Sequence, residues 1–444
     1  MKIGLIGSGG REHAMAKALS RQSERDTLYV YASHHNPGID RMAAETMTGS
    51  LSDAPGIVDF FTARAVDFVA VGPEAPLMAG VVDALRAAGV PTVGANQSQA
   101  RIESDKHFMR QLMSKYVPWG SPAWQLVHSR QEAADFIDQV GEVAVKPTGL
   151  TGGKGVQVMG TQLATLEDAL AYIDEWLAQD GAVLLEERLV GEEFSRMVFA
   201  ADGIIVPIPV AQDFKYACED DRGLMTGGMG VYTMADGSMP FLTAQDLQEA
   251  DRVMQQVIAA LGEESGAAYR GVLYGQFMVT ARGIRVIEFN ARLGDPEAIN
   301  VMALLQGDPA QVFLEIARGQ LNPASVQFEQ CASLVKYLVP VEYPEETIKG
   351  RLFAFDTDRV EAAGLQVIFA SVQAADGGQW ETLGSRTLAV VGLGEHPGQV
   401  CESMEALLAE VQPVALRHRA DIGASALIAS KTARMDALRR GGQV

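Results

Sequence analysis

The first hundred residues alternate short apolar segments typical of β-strands with amphipathic segments typical of helices. Such alternation is the signature of a parallel sheet whose strands are connected by crossover helices. It therefore predicts an open α/β domain over residues 1–103. The strands expected in this domain are Lys2–Ile6, Thr27–Tyr31, Phe68–Val71 and Pro91–Val93.

The rest of the chain predicts further domains, because 444 residues exceed what one ordinary core accommodates. Residues 104–190 combine helical and strand-like segments around a glycine-rich loop, which indicates a small α+β unit that acts as a lid. Strands dominate residues 191–328. The tail, residues 329–444, carries a β-rich pattern and no motif that suggests chemistry.

Charge and hydropathy narrow the class of protein. The formal net charge of −20 argues against nucleic-acid binding, because the long-range field repels phosphate backbones. The initial segment KIGLIG runs straight into glycines and is neither a signal peptide nor a membrane span. We therefore expect a cytoplasmic monomer or homodimer that acts on small molecules, with no membrane partner.

The motif GSGGREHA (Gly7–Ala14) lies between a predicted strand and a predicted helix. It is not a nicotinamide fingerprint, because Glu12 occupies the position of the third glycine. Its glycines still allow close approach of an anion to a helix N-terminus, and Arg11 lies in the first turn. Two interpretations stay open: a phosphate site and a tight turn between strand and helix.

The motif VKPTGLTGGKGV (Val145–Val156) places two lysines on either side of a loop with several glycines. It is not a Walker A motif, because Gly155 follows Lys154 where Ser or Thr is required. Such a loop can fold its backbone amides over a triphosphate while Lys146 supplies a fixed charge. The alternative is a mobile hairpin with incidental lysines.

Two strands, Leu273–Thr280 and Ile284–Asn290, are predicted to form a hairpin around a three-residue turn that ends in Gly283. The predicted cross-strand pairs are Thr280 with Ile284, Gln276 with Glu288, and Tyr274 with Asn290.

This register predicts a metal site. Glu288 and Asn290 share one face of their strand, whereas Ile287 and Phe289 point to the core. Gln276 then adds a third oxygen, and hard cations such as Mg²⁺ or Mn²⁺ prefer oxygen ligands together with nucleotide phosphates. A merely polar solvent face fits poorly, because more charged residues follow at once. These are Arg292, Asp295 and Glu297.

Two further segments are rich in acids and glycines. EERLVGEEF (Glu186–Phe194) is either a solvated turn or a nucleoside site, with the backbone near Glu187 reading adenine and a carboxylate, such as Glu186, binding the ribose. The long segment Gln212–Gly230 reads as a loop, which at that length is usually functional or disordered, and it contains Asp213 and Lys215. Its TGGMG motif suggests close backbone approach to a substrate by Thr226, Gly227 and Gly228.

Six motifs together resemble the phosphoribosylamine–glycine ligases, also called glycinamide ribonucleotide synthetases, of the ATP-grasp superfamily. The motifs are GGREHA, GPEAPL (Gly72–Leu77), SDKHF (Ser104–Phe108), KPTGLTGGKGV, TGGMG and IEFNARLGDPE (Ile287–Glu297). Their order and spacing agree with that family from Met1 to about residue 320, and the wording is similar to its archaeal-type branch. The resemblance implies an ATP-grasp fold with an N-terminal parallel α/β domain and a small β-rich C-terminal domain.

The resemblance also implies the reaction. Glycine attacks the γ-phosphate of ATP to give glycyl phosphate, and the amine of phosphoribosylamine then displaces phosphate. It assigns ATP to Lys106, Lys146, Gly152, Gly153, Lys154, Gly155, Glu187, Leu189 and Glu193. It assigns the metal to Gln276, Glu288 and Asn290. It assigns the amino-sugar phosphate to Gly9, Gly10, Arg11 and Glu74, and the acyl-phosphate neighbourhood to Arg292, Asp295 and Asp213. These three residues and Lys215 are the expected catalytic residues.

Three positions depart from the family pattern. Phe214 stands where the family has histidine, Leu224-Met225 where it has Pro-Asn, and Leu293 where it has phenylalanine. Because all three lie in or near the predicted acyl and acceptor region, a paralogue that uses a different carboxylate or amine is an alternative. Two further alternatives are a nucleotide sensor and an NAD-dependent oxidoreductase. A sensor would require the loss of a metal ligand or of a loop lysine, and this sequence has lost neither. An oxidoreductase would require a complete glycine fingerprint, which this sequence lacks.

Overall fold

The computed structural model describes residues 1–22, 24–148 and 155–441. Its N-terminal sheet has five strands, all paired in parallel, as the sequence pattern predicts. In spatial order the strands are Ala43–Thr48, Thr27–Ala32, Lys2–Ile6, Phe68–Val71 and Thr92–Val93. The accompanying helices are Gly10–Leu19, Pro37–Asp40, Ala54–Arg64, Glu74–Met78, Val81–Ala87 and Gln97–Ser104.

The strand Ala43–Thr48 escaped prediction because it lies at the edge of the sheet and its side chains are largely exposed, so its sequence lacks an apolar pattern. The amphipathic pattern over residues 78–88 predicts a single helix, but the structure interrupts it at Gly80. This residue has a φ of 74°, a left-handed conformation that glycine adopts without steric cost.

A small antiparallel sheet follows and has a hydrophobic core of its own. In spatial order its strands are Trp124–Val127, Val183–Glu187, Val143–Pro147 and Gln157–Val158. Two helices, Arg130–Val140 and Leu166–Asp180, contribute Phe136 and Ile173 to this core. The core is separate from the large one that runs through the other sheets, so this unit is packed mainly within itself.

The central sheet contains the predicted hairpin. In spatial order its strands are Ile204–Pro207, Gly191–Ala201, Arg270–Thr280 and Gly283–Asn290. The helices beside it are Lys106–Tyr116, Ala244–Ser265 and Pro309–Arg318, whereas Glu297–Leu304 packs against the strands Gly230–Thr233 and Ala332–Pro340.

The predicted turn of the hairpin was wrong by one residue, because Thr280 pairs with Gly283 rather than Ile284. A β-bulge at Ile287 then restores the register, so that Gln276 does pair with Glu288 and Tyr274 with Asn290. The bulge also takes Ile287 out of the core, contrary to the prediction. Its side chain is only half-buried.

The C-terminal sheet combines late strands with two that precede residue 240. In spatial order the strands are Gln212–Asp213, Gly230–Thr233, Ala332–Pro340, Leu388–Gly394 and Gln366–Phe369, with Leu416–Arg417 paired beside Ala332–Pro340. A three-stranded sheet consists of Lys349–Phe353, Trp380–Leu383 and Val372–Ala374. Three helices complete the tail: Thr357–Ala362, Pro397–Val411 and Ser425–Arg439. The long segment predicted as a loop contains a hairpin formed by Tyr216–Cys218 and Arg222–Met225.

Candidate active site

A cavity of about 630 Å³ lies where the small sheet, the central sheet and the C-terminal segments meet. Most of the site residues predicted from sequence line it. They are Glu74, Lys106, Lys146, Glu186, Glu187, Leu189, Glu193, Asp213, Lys215, Thr226, Gly227, Glu288, Asn290, Arg292 and Asp295. Residues more than two hundred positions apart in sequence, such as Glu74 and Asp295, therefore share one chamber.

One end of the cavity is built on a buried ion-pair network. Lys146, on the strand Val143–Pro147, lies 2.7 Å from Glu186 Oε2 through its Nζ atom. The fully buried Arg110 donates from Nε and Nη2 to the two oxygens of Glu186, each at 2.7 Å. Burial alone would raise the pKa of Glu186, but the two cations outweigh it and lower the pKa. Glu186 thus holds Lys146 in place.

Lys106 begins the helix Lys106–Tyr116 and donates to the carbonyl of Pro147 at 3.1 Å. Burial, together with the charge of Lys146, lowers its pKa, although Glu288 opposes the shift. Two lysines therefore face the same end of the chamber. Gly152, Gly153 and Lys154 lie outside the described residues, and the carbonyl of Gly155 accepts a hydrogen bond from Tyr172.

Farther along the cavity, Lys215 lies among carboxylates. Its Nζ atom is 3.9 Å from Asp213 Oδ2 and 3.8 Å from Glu288 Oε1. Burial alone would lower the pKa of Lys215, but Asp213, Glu288 and Glu193 outweigh it and raise the pKa. The lysine is therefore a permanent positive charge in an otherwise acidic part of the cavity.

Gln276 pairs with Glu288 across the hairpin, yet its side chain is fully buried beneath the cavity wall. Its amide nitrogen donates to Glu193 Oε2 at 2.9 Å and to Asp213 Oδ1 at 3.3 Å. Its amide oxygen accepts from the hydroxyl of Tyr274. Gln276 thus orients two carboxylates from behind.

Glu288 and Asn290 remain as the oxygen donors that face the cavity. Burial would raise the pKa of Glu288, but Lys215, Lys146 and Lys106 outweigh it and lower the pKa. One carboxylate and one amide oxygen suit a hard divalent cation that keeps water and phosphate oxygens as further ligands. Within the described residues, no group of three or more His, Cys, Asp or Glu side chains could hold a metal ion on its own.

Glu297 is a cavity residue that was noted in the sequence only as part of a charged run. Its side chain is 2% exposed, and its Oε1 atom has no hydrogen-bond partner. Burial and the charge of Asp213 raise the pKa of Glu297 to about 7. The charge of Lys215 therefore does not offset burial at Glu297, whereas at Glu288 the nearby lysines do.

Arg292 is held by two acids from the N-terminal region. Its Nη2 atom lies 2.8 Å from Glu103 Oε1, and its Nε atom lies 3.8 Å from Glu74 Oε2. Glu103 also accepts from the amide of Ala291 at 2.9 Å. Glu103 was not predicted, although it directly precedes the SDKHF motif.

The residues of the GSGGREHA motif lie behind the cavity wall. Gly9 donates its amide to Glu12 Oε2 at 2.7 Å, and Arg11 donates to the carbonyl of Leu293 at 3.2 Å. A Cβ atom on Gly10 would lie 2.2 Å from the hydroxyl of Tyr337. In the described part of the chain, the predicted site residues that do not line the cavity are Gly9, Gly10, Arg11, Gly155, Gly228 and Gln276.

The three departures from the family pattern have different surroundings. Phe214 and Met225 line the cavity. Phe214 is 2% exposed and lies beneath the cationic groups of Arg419 and Lys431, at 5.1 and 5.4 Å from its ring centroid. Leu293 is buried in the core, whereas Leu224 is exposed.

The sequence of the chain matches one protein family across more than half its length. Residues 1–103 match the N domain of phosphoribosylglycinamide synthetase, and residues 104–298 match its ATP-grasp (A) domain. The phosphoribosylamine–glycine ligases of Methanopyrus kandleri and Methanoregula boonei are 40% and 44% identical. Each alignment covers 99% of this chain and at least 99% of the relative. The chain belongs to the phosphoribosylglycinamide synthetase family.

Solved structures confirm that this synthetase family member has the predicted ATP-grasp fold. A phosphoribosylamine–glycine ligase from Thermotoga maritima has a TM-score of 0.76 at 24% identity, covering 95% of this chain and all of that one. Biotin carboxylase from Campylobacter jejuni has a TM-score of 0.68 at 12% identity, covering 98% of this chain and 95% of that one. Both similarities extend beyond the ATP-grasp core.

Sequence reasoning missed what the C-terminal tail of this synthetase family member contributes. Lys431 and Arg434, on the last helix, line the cavity and pair with Glu192 at 3.2 and 3.0 Å. Lys431 also lies 3.1 Å from Asp221 in the hairpin between residues 216 and 225. No motif marks these cations, because only the folded chain brings them to the cavity.

Membrane insertion of a helix finds no support in the structure. Over residues 1–22, 24–148 and 155–441, no helix is long and apolar enough to cross a bilayer.

Proposed function

We propose that this chain is an ATP-dependent ligase that joins glycine to 5-phosphoribosylamine through glycyl phosphate and releases ADP and phosphate. The observation that carries the proposal is the single cavity. Two lysines, Lys106 and Lys146, lie at one end, and Lys215 lies among carboxylates farther along. Full-length similarity to phosphoribosylamine–glycine ligases supports the choice of substrates.

We place the nucleotide at the end of the cavity that carries two fixed positive charges. We propose that Lys106 and Lys146 bind the phosphates of ATP, and that Glu187, Leu189 and Glu193 contact the nucleoside. Glu186 acts through Lys146, because its carboxylate accepts hydrogen bonds from Lys146 and from the buried Arg110. We propose the same phosphate role for Gly152, Gly153, Lys154 and Gly155.

Glu288 and Asn290 would hold Mg²⁺ or Mn²⁺, which would neutralise phosphate charge when bound. Gln276 supports them indirectly by holding Glu193 and Asp213 at 2.9 and 3.3 Å. This arrangement assigns no direct metal contact to Gln276.

The acyl end requires positioning rather than a covalent group. Lys215 lies where charge develops on an acyl phosphate, and its raised pKa keeps it protonated. We propose that Asp213 and Arg292 orient the carboxylate substrate, and that Thr226 and Gly227 close the wall behind it. Alignment of two reactants in a chamber that excludes water accounts for most of the acceleration in this type of reaction.

The acceptor phosphate belongs near Glu74 and Arg292 on this proposal, with Gly9, Gly10 and Arg11 supporting that wall from behind. Phe214 and Met225 favour one alternative, because both departures line the cavity. A ligase for another carboxylate or amine therefore stands as the second candidate.

The test is ADP release by the purified protein with ATP, Mg²⁺, phosphoribosylamine and a panel of amino acids. We expect release that requires both glycine and the amine, and Lys146→Met should abolish it. Turnover with another amino acid instead of glycine would establish the second candidate. Absence of turnover with every carboxylate in the panel would refute the ligase assignment.

A further inference from the structure

Both oxygens of the Asp295 carboxylate are bound by residues of the C-terminal segment. The hydroxyl of Tyr337 donates to Oδ1 at 2.7 Å, and Arg386 Nη2 lies 3.0 Å from Oδ2. Tyr337 is fully buried, and the guanidinium of Arg386 lies over its ring at 4.5 Å from the centroid. Asp295 is thus fixed by two partners that hold each other.

Arg386 also fixes the TGGMG motif. Its Nη1 atom lies 2.9 Å from each of three carbonyl oxygens, those of Gly227, Gly228 and Asp295. Gly228 has a φ of 115°, and a Cβ atom there would lie 2.5 Å from Pro296 Cδ. The planar fork of arginine offers several donors in a fixed geometry, which a lysine ammonium does not reproduce.

Tyr337 reaches a third motif. Its hydroxyl occupies the space that a side chain on Gly10 would take, since a Cβ atom there would lie 2.2 Å from the oxygen. One phenol oxygen therefore donates to Asp295 and leaves no room for a side chain at Gly10. Neither Tyr337 nor Arg386 lines the described cavity, so both act through other residues.

We propose that Tyr337 and Arg386 are positioning residues that hold Asp295 and the Thr226–Gly230 loop in one arrangement at the acyl end of the cavity. The inference rests on the proposed ligase function for its kinetic consequence. Asp295 and Gly227 are wall residues of the cavity, and their placement depends on two side chains from a tail without recognisable motifs. The C-terminal segment is therefore part of the active site.

The kinetic test uses Tyr337→Phe, which removes only the hydroxyl, and Arg386→Lys, which keeps the charge but loses the fork. We expect kcat to fall about 10- to 100-fold in each, because small displacements at a reacting centre have effects of that size. The KM for ATP should stay within about twofold of wild type, because neither residue contacts the nucleotide end. Arg351→Lys, which affects a pair with Glu342 away from the cavity, is the matched control.

A second measurement does not need turnover. Amide exchange of residues 226–230 should accelerate in Tyr337→Phe and Arg386→Lys and stay unchanged in Arg351→Lys. In addition, Gly10→Ala should lower the thermal stability of the protein. Adding Tyr337→Phe to that variant should restore part of the stability, because it removes the overlapping oxygen.

Unchanged exchange at 226–230, or kcat within twofold of wild type in both variants, would overturn the proposal. A fall in kcat accompanied by an equal loss of ATP affinity and of thermal stability would overturn it too, because that is a general structural defect. If the wild-type protein has no ligase activity while exchange still responds as expected, the proposed function fails and the positioning role stands.

Discussion

The substitution Arg110→Met tests how the nucleotide end is held together. Arg110 is fully buried and binds both oxygens of Glu186 at 2.7 Å. Its Nη2 atom also donates to the carbonyls of Val286 and Ile287 at 3.0 and 2.9 Å. Methionine preserves much of the volume but leaves these acceptors with one fewer donor, and the bulge at Ile287 loses a support.

The expected losses of unfolding free energy and of ATP affinity in Arg110→Met follow from the geometry. Removal of one partner from a buried ion pair costs about 3–5 kcal/mol of unfolding free energy. Because Lys146 still neutralises Glu186, we expect the lower end, about 3 kcal/mol. Lys146 would also be drawn toward the carboxylate that Arg110 vacates. A charged hydrogen bond is worth about 1.5–3 kcal/mol, so ATP should bind about 10- to 100-fold more weakly.

The assays are urea denaturation and titration calorimetry with ATP and Mg²⁺. Lys115→Met is the matched control, since Lys115 lies on the same helix with a side chain 60% exposed and should leave both quantities near wild type. If Arg110→Met behaved like this control in both assays, the buried network would have no role in holding Lys146.

Three other substitutions address separate parts of the cavity. Glu288→Gln should lower turnover by about 100-fold or more with an unchanged circular dichroism spectrum, because it removes the charged metal donor. Glu297 has a folded pKa of about 7 against an ordinary 4.5, so between those values the folded state binds more protons and stability falls as pH rises. Urea denaturation of Glu297→Gln across that window should show a weaker decline than wild type. Lys431→Met should raise the KM for ATP several-fold, because Glu192 and Asp221 lose a shared cation at the cavity wall; an unchanged KM would separate the last helix from nucleotide binding.

The hairpin illustrates how far local sequence could lead. A three-residue turn between the predicted strands Leu273–Thr280 and Ile284–Asn290 predicted the pairing of Gln276 with Glu288, and the structure has that pair. The prediction was right for an incomplete reason, because a shorter turn and the bulge at Ile287 compensate each other. A bulge depends on packing between strands and leaves no mark on residue type.

Gln276 shows the corresponding limit at the site. Its position in the register followed from sequence, but the depth of its side chain beneath the cavity did not. Whether an amide faces a ligand or a neighbouring carboxylate depends on the layers packed above it. Glu186 differs from expectation for the same reason, since Arg110 reaches it from a helix whose packing position the sequence could not give.

The sequence by itself determined the elements and motifs: the parallel α/β start, the motif with lysines and glycines, the hairpin that pairs Gln276 with Glu288, and membership of a family of ligases. These features depend on periodicities and short motifs, which act over a few residues. The tertiary structure alone decided that Tyr337, Arg386 and Lys431 serve the same site. Their partners lie 42, 91 and 239 positions away in sequence, and contacts at such separations arise only when the sheets pack together.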